Sequence, residues 1–360
     1  MPSATTRGAL TVLPVRGVGE VHRGADLAAL LIGALAGEGV ELRPGDCLVV
    51  SSKVVSKALG LTWSGSREDA VAAGTVRVVA ERRGEGGVTT RVVESVAGPV
   101  MAAAGVDASN TGPAGDVLLL PVDPDAEAAR LRAALLARLG LGGEAPLAVV
   151  LSDTAGRPWR EGLTDLALGS SGLLVLEDLR GRVDHDGRPL AVTMRALADE
   201  VAAAADLVKG KADGIPAAVV RGLDAAWFDA SAGGARGLVR TGPGDWFDVG
   251  HTEAVRSALG APPGTAAAEA VGVAPVLPNE PLAPRVARVV ALALLEVPEG
   301  SADVGVDEAD GSAEVGLGAP DDYDLGRLVT RCEVAAHAEG LRAEVAARTP
   351  GSVAVRLRPA

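Results

Sequence analysis

Apolar positions recur along the chain with two periods, and each period names an element. Asp26 precedes Leu27, Leu30, Leu31 and Leu35, the spacing of one helical face, with Gly37 near its end; this predicts a capped helix. The stretches 46–55 and 116–122 predict buried strands, and Asp123-Pro124-Asp125 opens a helix carrying Leu131, Leu135 and Leu139. Residues 146–152 predict a strand that presents Asp153 at its C-terminal tip. Residues 194–208 place Leu197, Val201, Ala205 and Val208 on one helical face closed by Gly210, and 217–220 predict a further strand. Helices interleaved with strands make an α/β protein of mixed α+β character. The order of the strands is not contained in the pattern.

Pro262, Pro263 and Gly264 predict a linker, dividing a domain over 1–260 from a small α+β domain over 265–360. In the latter a helix is followed by a hairpin, in which Val304 and Val306 alternate against Ala313, Val315 and Leu317 around Asp310-Gly311. A second helix over about 324–339 and a terminal hairpin at Pro350-Gly351 complete it. No internal repeat is present.

Composition narrows the function classes. Hydrophobic residues make up 48% of 360 and aromatics 2%, so a sizeable core must be built from Ala, Val and Leu. A formal net charge of −13 argues against nucleic acid as a partner, because phosphate backbones attract clustered Lys and Arg. It leaves room for a phosphorylated small molecule held by a few local cations. Cys47 lies in an apolar run far from Cys332, and the four histidines form no metal-binding spacing. The N-terminus lacks the charged start and apolar stretch of a signal peptide, and the most apolar helix, near 286–297, is interrupted by Arg288 and too short to span a bilayer. A soluble, cytoplasmic protein with no membrane partner is expected.

Three polar clusters fall where strands should end. Ser51-Ser52-Lys53 to Ser56-Lys57 offers hydroxyls and two ammonium groups to an anion, or is simply a solvated strand end. Gly105 and Gly112 bracket Asp107-x-Ser109-Asn110, where Asp107 suits a hard cation and Asn110 a phosphate or base; a self-satisfied Asx-turn is the plainer alternative. Asp153-Thr154-Ala155-Gly156-Arg157 to Arg160 suits a nucleotide–metal site, with Asp153 and Thr154 as oxygen ligands and Arg157 and Arg160 as a bidentate clamp; a loop pinned by surface ion pairs is the alternative. Lys209-Gly210-Lys211 lacks the phosphate-loop pattern, and Gly17-Val18-Gly19 lacks the third glycine of a dinucleotide fingerprint. Asp184-His185-Asp186, beside Gly187, reads as a turn.

Taken in order, these segments resemble the coenzyme F420-0:L-glutamate ligase family. The resemblance runs from about Val12 to Leu259 and joins Gly17-Val18-Gly19-Glu20, Ser52-Lys53 to Lys57, and Ala104-Gly105-Val106-Asp107-x-Ser109-Asn110. It continues through Asp153-Thr154-x-Gly156-Arg157-x-Trp159-Arg160-x-Gly162-x-Thr164-Asp165, Leu207-Val208-Lys209-Gly210-Lys211 and Val220-Arg221-Gly222-Leu223. It implies a GTP-dependent ligase that activates the terminal carboxylate of F420-0 as an acyl phosphate, which the amine of L-glutamate displaces. On matching positions it implies GTP contacts at Val18, Gly19, Glu20, Val21, Ser52, Lys57 and Asn110, and at Lys209, Gly210, Lys211, Ala212, Asp213, Gly214, Ile215 and Pro216. Asp107 and Asp153 are implied to hold one divalent metal and Thr154 a second, as Mg²⁺ or Mn²⁺, with K⁺ as a further cofactor. Asp153, Arg157 and Arg160 are the implied catalytic residues, and the implied fold is an intertwined homodimer.

The sequence departs from the family pattern at Gly19, where relatives usually carry proline, at Leu59, where an acidic residue is usual, and in Glu94-Ser95-Val96-Ala97-Gly98, which lacks a basic residue before the glycine. Where Lys211 stands, some relatives carry an acidic metal ligand and others lysine. The tail over 265–360 is too short for the flavin-binding domain some relatives carry. These departures leave two alternatives beside the active ligase: the same scaffold coupling a different amine or acid, and a non-catalytic nucleotide-binding subunit.

Overall fold

The computed structural model describes residues 8–107, 117–211, 213–242, 245, 247–275 and 280–360. The chain forms two compact units, one from Met1–Val76 with Glu94–Thr241 and the other from Arg77–Val93 with Gly242–Ala360.

The first unit begins with β1 (Thr11–Val15), α1 (Leu27–Gly37), β2 (Asp46–Ser51), α2 (Ser52–Leu59), β3 (Thr62–Trp63) and α3 (Arg67–Ala73). A hairpin follows, β4 (Thr75–Arg83) and β5 (Thr89–Ser95), whose outer part belongs to the second unit. Then come β6 (Val100–Ala102), β7 (Val117–Leu118), α4 (Pro124–Leu139), β8 (Ala148–Arg157), β9 (Arg160–Ser171), β10 (Leu176–Asp178), β11 (Met194–Ala196), α5 (Leu197–Lys209) and β12 (Ala217–Arg221).

Five of these strands form a sheet in the order β1-β12-β2-β8-β9, with β2 and β8 parallel and the other neighbours antiparallel. The two-residue strand period sorts its side chains. Leu48, Val50, Val149, Leu151 and Val219 share a core with Leu31 and Leu35 of α1 and Leu131 and Leu135 of α4. Cys47, Val49, Val150, Ala218 and Val220 share the opposite core with Ala198, Val201, Ala202 and Ala205 of α5. The central strands are therefore apolar on both sides, as a sheet covered on both faces requires. The predicted caps are present: an Asp26 oxygen accepts from Ala29 N at 2.9 Å, and an Asp123 oxygen accepts from Ala126 N at 3.0 Å with Pro124 opening α4.

Four expectations change. The strand predicted over 46–55 ends at Ser51, because Ser52, Val55 and Ser56 are buried on one helical face and Gly60, at φ +71°, closes α2. Of 116–122 only Val117–Leu118 is strand, and 116 lies outside the described residues. The strand predicted to stop at Ser152 runs to Arg157 and turns into β9, so Asp153 sits within a strand of a long hairpin. Its apolar pattern lapses after Leu151 because the outer half of the hairpin is largely uncovered. The helix predicted from 194 starts at Leu197, since Met194–Ala196 pairs with β10.

In the second unit, α6 (His251–Ala258), α7 (Ala266–Val271), α8 (Leu282–Leu294) and α9 (Asp322–Ala338) accompany a sheet of β13 (Ser301–Asp307), β14 (Ser312–Gly318), β15 (Leu341–Thr349) and β16 (Ser352–Pro359). The sheet is antiparallel in the order β13-β14-β16-β15, and both predicted hairpins are present. Val286, Val289 and Leu292 of α8 and Leu328 and Cys332 of α9 pack on Val315, Leu317, Val355 and Leu357. The division at Thr241 falls earlier than the linker expected near 260, because α6 packs on α9 and Leu259 and Ala261 belong to this core. Pro262-Pro263-Gly264 is thus a connection inside the unit. Its buried charges are matched: Arg288 donates to Glu339 at 2.6 Å and to Glu280, and Arg91 donates to Glu81 at 2.9 Å.

Among the described residues, no helix is long and apolar enough to cross a membrane.

Candidate active site

The parallel pair β2 and β8 ends in register, Ser51 opposite Ser152, and Pro216 accepts from Ser51 N at 2.8 Å just before β12 begins. In open α/β sheets ligands bind beyond such carboxyl ends. A cavity of about 940 Å³ opens there, within the first unit. After β1, Gly19, Glu20 and Val21 form one wall, and Ser51, Lys53 and Lys57 from the end of β2 and from α2 form the next. Met101 and Asp107 follow β5 in the chain; Ser152, Asp153 and Thr154 come from β8 and Leu163 and Asp165 from β9. Asp206, Lys209, Gly210, Lys211, Gly214, Ile215 and Pro216 close it from the end of α5 to β12.

A hydrogen-bonded network lies at the centre. Asp165 accepts from Ser152 Oγ at 2.8 Å, from Thr154 Oγ1 at 2.7 Å and from Lys209 Nζ at 2.5 Å. Antiparallel pairing of Thr154 with Asp165 across β8 and β9 sets this geometry, since partners in register present their side chains to one face. The Lys211 ammonium donates to Thr154 Oγ1. Lys53 pairs with Asp107 at 2.6 Å and Lys57 with Glu20 at 2.5 Å.

The carboxylates differ in their electrostatics. Burial pushes Asp153 up to about 6; the Thr154 N–H opposes this, while the charges of Asp165 and Asp107 add to it. Burial also pushes Asp165 upward, but the Lys209 charge and hydrogen bonds from Lys209, Thr154 and Ser152 outweigh it and hold the group below its ordinary value. Glu20 is lowered by its hydrogen bond with Lys57 and by that lysine's charge.

Asp153 is thus a desolvated carboxylate that shares the cavity with a second one, Asp107, whose charge it feels, a hard-oxygen set that fits a divalent cation. Among the described residues no group of three or more His, Cys, Asp or Glu could by itself hold a metal ion. Two carboxylates without a full protein cage is how Mg²⁺ is commonly held, with substrate phosphates and water completing the shell.

Of the residues singled out in the sequence, Gly19, Glu20, Val21, Lys57, Asp107, Asp153, Thr154, Lys209, Gly210, Lys211, Gly214, Ile215 and Pro216 line this one cavity. Ser52 is buried at the start of α2, and Val18 is buried in the core shared with α1. Asp213 does not line the cavity; its carboxylate lies against Gly210. Arg157 and Arg160 are exposed and paired across the hairpin tip, away from the cavity wall. Asn110 and Ala212 lie outside the described residues. Asp184 accepts from the backbone of Asp186 and Arg188, the turn expected of it. Ser51 and Lys53, offered to an anion as part of a strand end, do line the cavity, with Lys53 on α2 rather than on a strand. Sequence reasoning gave no role to Asp206 and placed Asp165 in the motif without one. Leu59 lines a separate hollow of about 210 Å³ beside α1 and α4, so its departure from the family pattern does not fall on the cavity wall.

The model of the F420-0:gamma-glutamyl ligase family matches residues 17–222. The chain is 40% identical over 238 residues to the coenzyme F420:L-glutamate ligase of Halobacterium salinarum, covering 60% of this chain and 88% of that protein. It is 40% identical over 232 residues to the ligase of the same name from Methanopyrus kandleri, covering 59% and 87%. With that of Natronomonas pharaonis it shares 38% over 233 residues, covering 59% and 86%.

Proposed function

Since the chain belongs to the F420-0:gamma-glutamyl ligase family, we propose that it joins L-glutamate to coenzyme F420-0 by an amide bond, driven by GTP. The terminal carboxylate of F420-0 takes the γ-phosphoryl group, giving an acyl phosphate and GDP. The glutamate amine then attacks the acyl carbon, loses a proton, and phosphate leaves as the amide forms.

The observation that carries this reading is the convergence of the Asp107 and Asp153 carboxylates with four lysines in one cavity. Lys53 and Lys57 are each paired with a carboxylate, pairings that a polyphosphate can replace with charge-assisted hydrogen bonds of its own. Lys209 is already committed to Asp165 and acts through it, fixing the strand that carries Asp153 and Thr154. A volume near 940 Å³ is ample for a nucleotide, the size class of a substantial ligand pocket. A Mg²⁺ or Mn²⁺ ion held by Asp107 and Asp153 supplies neutralisation of the transferring phosphoryl charge.

The test is mass spectrometry of F420-0 incubated with the protein, GTP, L-glutamate, Mn²⁺ and Mg²⁺. The expected product is heavier by one or more glutamyl units, with GDP released in step. GTP binding without product would move the assignment to a different acceptor or amine on the same scaffold.

A further inference from the structure

The family resemblance implies a second divalent cation at Thr154, and the surroundings of that hydroxyl do not suit one. Thr154 Oγ1 has one proton, which it donates to Asp165 Oδ1 at 2.7 Å. Its acceptor side receives the Lys211 ammonium. A hydroxyl offers two lone pairs, so an ion placed here would share the oxygen with an ammonium and be repelled by it at close range. The neighbouring carboxylate gives no relief. Asp165 is neutralised by Lys209, an ion pair whose side chains are each only 4% exposed, and its oxygens already accept from Ser152, Thr154 and Lys209.

Charge around the rest of the cavity points the same way. Among the described residues five carboxylates and four lysines line it, and three of those carboxylates sit in ion pairs with lysine. Before any nucleotide binds, the wall therefore carries only about one surplus negative charge, and the carboxylates not committed to a lysine are Asp153 and Asp206 rather than any beside Thr154. The site suited to a divalent ion is the wall shared by Asp153 and Asp107, where an ion that displaces Lys53 from Asp107 gains two carboxylates, whereas one that displaces Lys211 from Thr154 gains only a neutral hydroxyl.

We propose that this chain takes a single divalent cation, at Asp107 and Asp153, and that the Lys211 ammonium stands in for a second one at Thr154. The inference rests on the metal–nucleotide reading of the cavity. Lysine is chemically suited to the part: it is a compact positive charge with three donors, and such groups clamp transferring phosphoryl oxygens as metal ions do. Thr154 and Asp165 orient it, and Gly210, at φ +61°, lets the chain turn sharply between α5 and Lys211.

The experiment is equilibrium dialysis of the whole protein against Mn²⁺ and a non-hydrolysable GTP analogue, counting metal and nucleotide retained per chain. Wild type should retain one Mn²⁺ for each bound nucleotide. Lys211→Glu should raise this to two, and Lys211→Gln should add a weaker second site. Two ions per nucleotide in the wild type would overturn the inference, as would a Lys211→Glu protein that binds nucleotide and still holds one. Nucleotide retained with no Mn²⁺ at all would instead overturn the assignment of Asp107 and Asp153, and the single-cation inference with it. Retained nucleotide shows in each case that the preparation is folded, and Asp153→Asn should keep its nucleotide while losing the one ion, which ties that ion to Asp153.

Discussion

Lys209 at the end of α5 reaches across to Asp165 on β9 and closes a 2.5 Å ion pair in which neither side chain is more than 4% exposed. Two formal charges have been taken out of water, and they are tolerable only because Ser152 and Thr154 satisfy the remaining carboxylate positions. Lys209→Met should leave Asp165 buried and unmatched, at a cost of about 3–5 kcal/mol. The double variant Lys209→Met with Asp165→Leu should recover most of that. Urea denaturation of the three proteins checks it; equal losses in the single and double variants would mean the pair contributes nothing specific.

Asp153 makes the stability of the metal-free protein pH-dependent. Its folded pKa, about 6, lies above the ordinary value of 3.8, so the folded state holds this proton more tightly than the unfolded chain does. The contribution is fully present below pH 4 and is lost as pH rises through 6. Asp153→Asn should abolish ligation, remove this slope and raise stability at pH 7 by about 1–3 kcal/mol in the absence of metal. Thermal melts between pH 4 and 7 in a chelating buffer read this directly, and an unchanged slope in the variant would locate the titration elsewhere.

Restoring the family-typical proline at Gly19 should harm this protein. Gly19 has φ +74°, a left-handed conformation, while proline is fixed near −65°. Gly19→Ala meets no atom within 4 Å of its Cβ and should cost only about 1–2 kcal/mol of backbone strain. Gly19→Pro should displace Glu20 from Lys57 and weaken GTP binding tenfold or more by calorimetry. Leu59→Glu, by contrast, should leave the KM for GTP within about twofold, because that side chain lines a different hollow.

In the second unit Arg288 is matched by Glu280 and Glu339, all almost fully buried. Arg288→Met should destabilise this unit by less than about 3–5 kcal/mol, the cost of a fully orphaned pair, since Glu280 keeps Arg83 and Glu339 keeps Arg256 at 3.5 Å. Native-state hydrogen exchange of the amides of α8 and α9 would report the loss, and unchanged protection there would show that Arg288 contributes little.

Much of this architecture was legible in the sequence because local chemistry and tertiary need agreed. Asp26 and Asp123 cap the helices they appeared to cap, and the alternation of Val304 and Val306 against Val315 and Leu317 became a hairpin. Where they diverged, the reading slipped. Val54 and Val55 are β-branched and follow an apolar strand, yet burial of Val55 with Ser52 and Ser56 favours a helix there. The hairpin carrying Asp153 was obscured because its outer strands lack an apolar face to betray the two-residue period. Asp165 stood within the recognised motif, but its role depends on Lys209, which is distant in sequence and adjacent only once β9 and α5 are folded.

The assignment of Arg77–Val93 to the second unit has a consequence for synthesis. This hairpin emerges from the ribosome long before Gly242–Ala360, the segment that supplies its partners. Val79 and Glu81, each only 4% exposed in the finished protein, must wait through most of translation without the cover they will have. Nor does any single cut of the gene liberate either unit intact: a chain stopped at Thr241 keeps the hairpin but loses the Glu253 carboxylate that Arg82 binds. The two units are interleaved in one polypeptide, and a change in the tail can be felt first by a segment translated more than a hundred residues earlier.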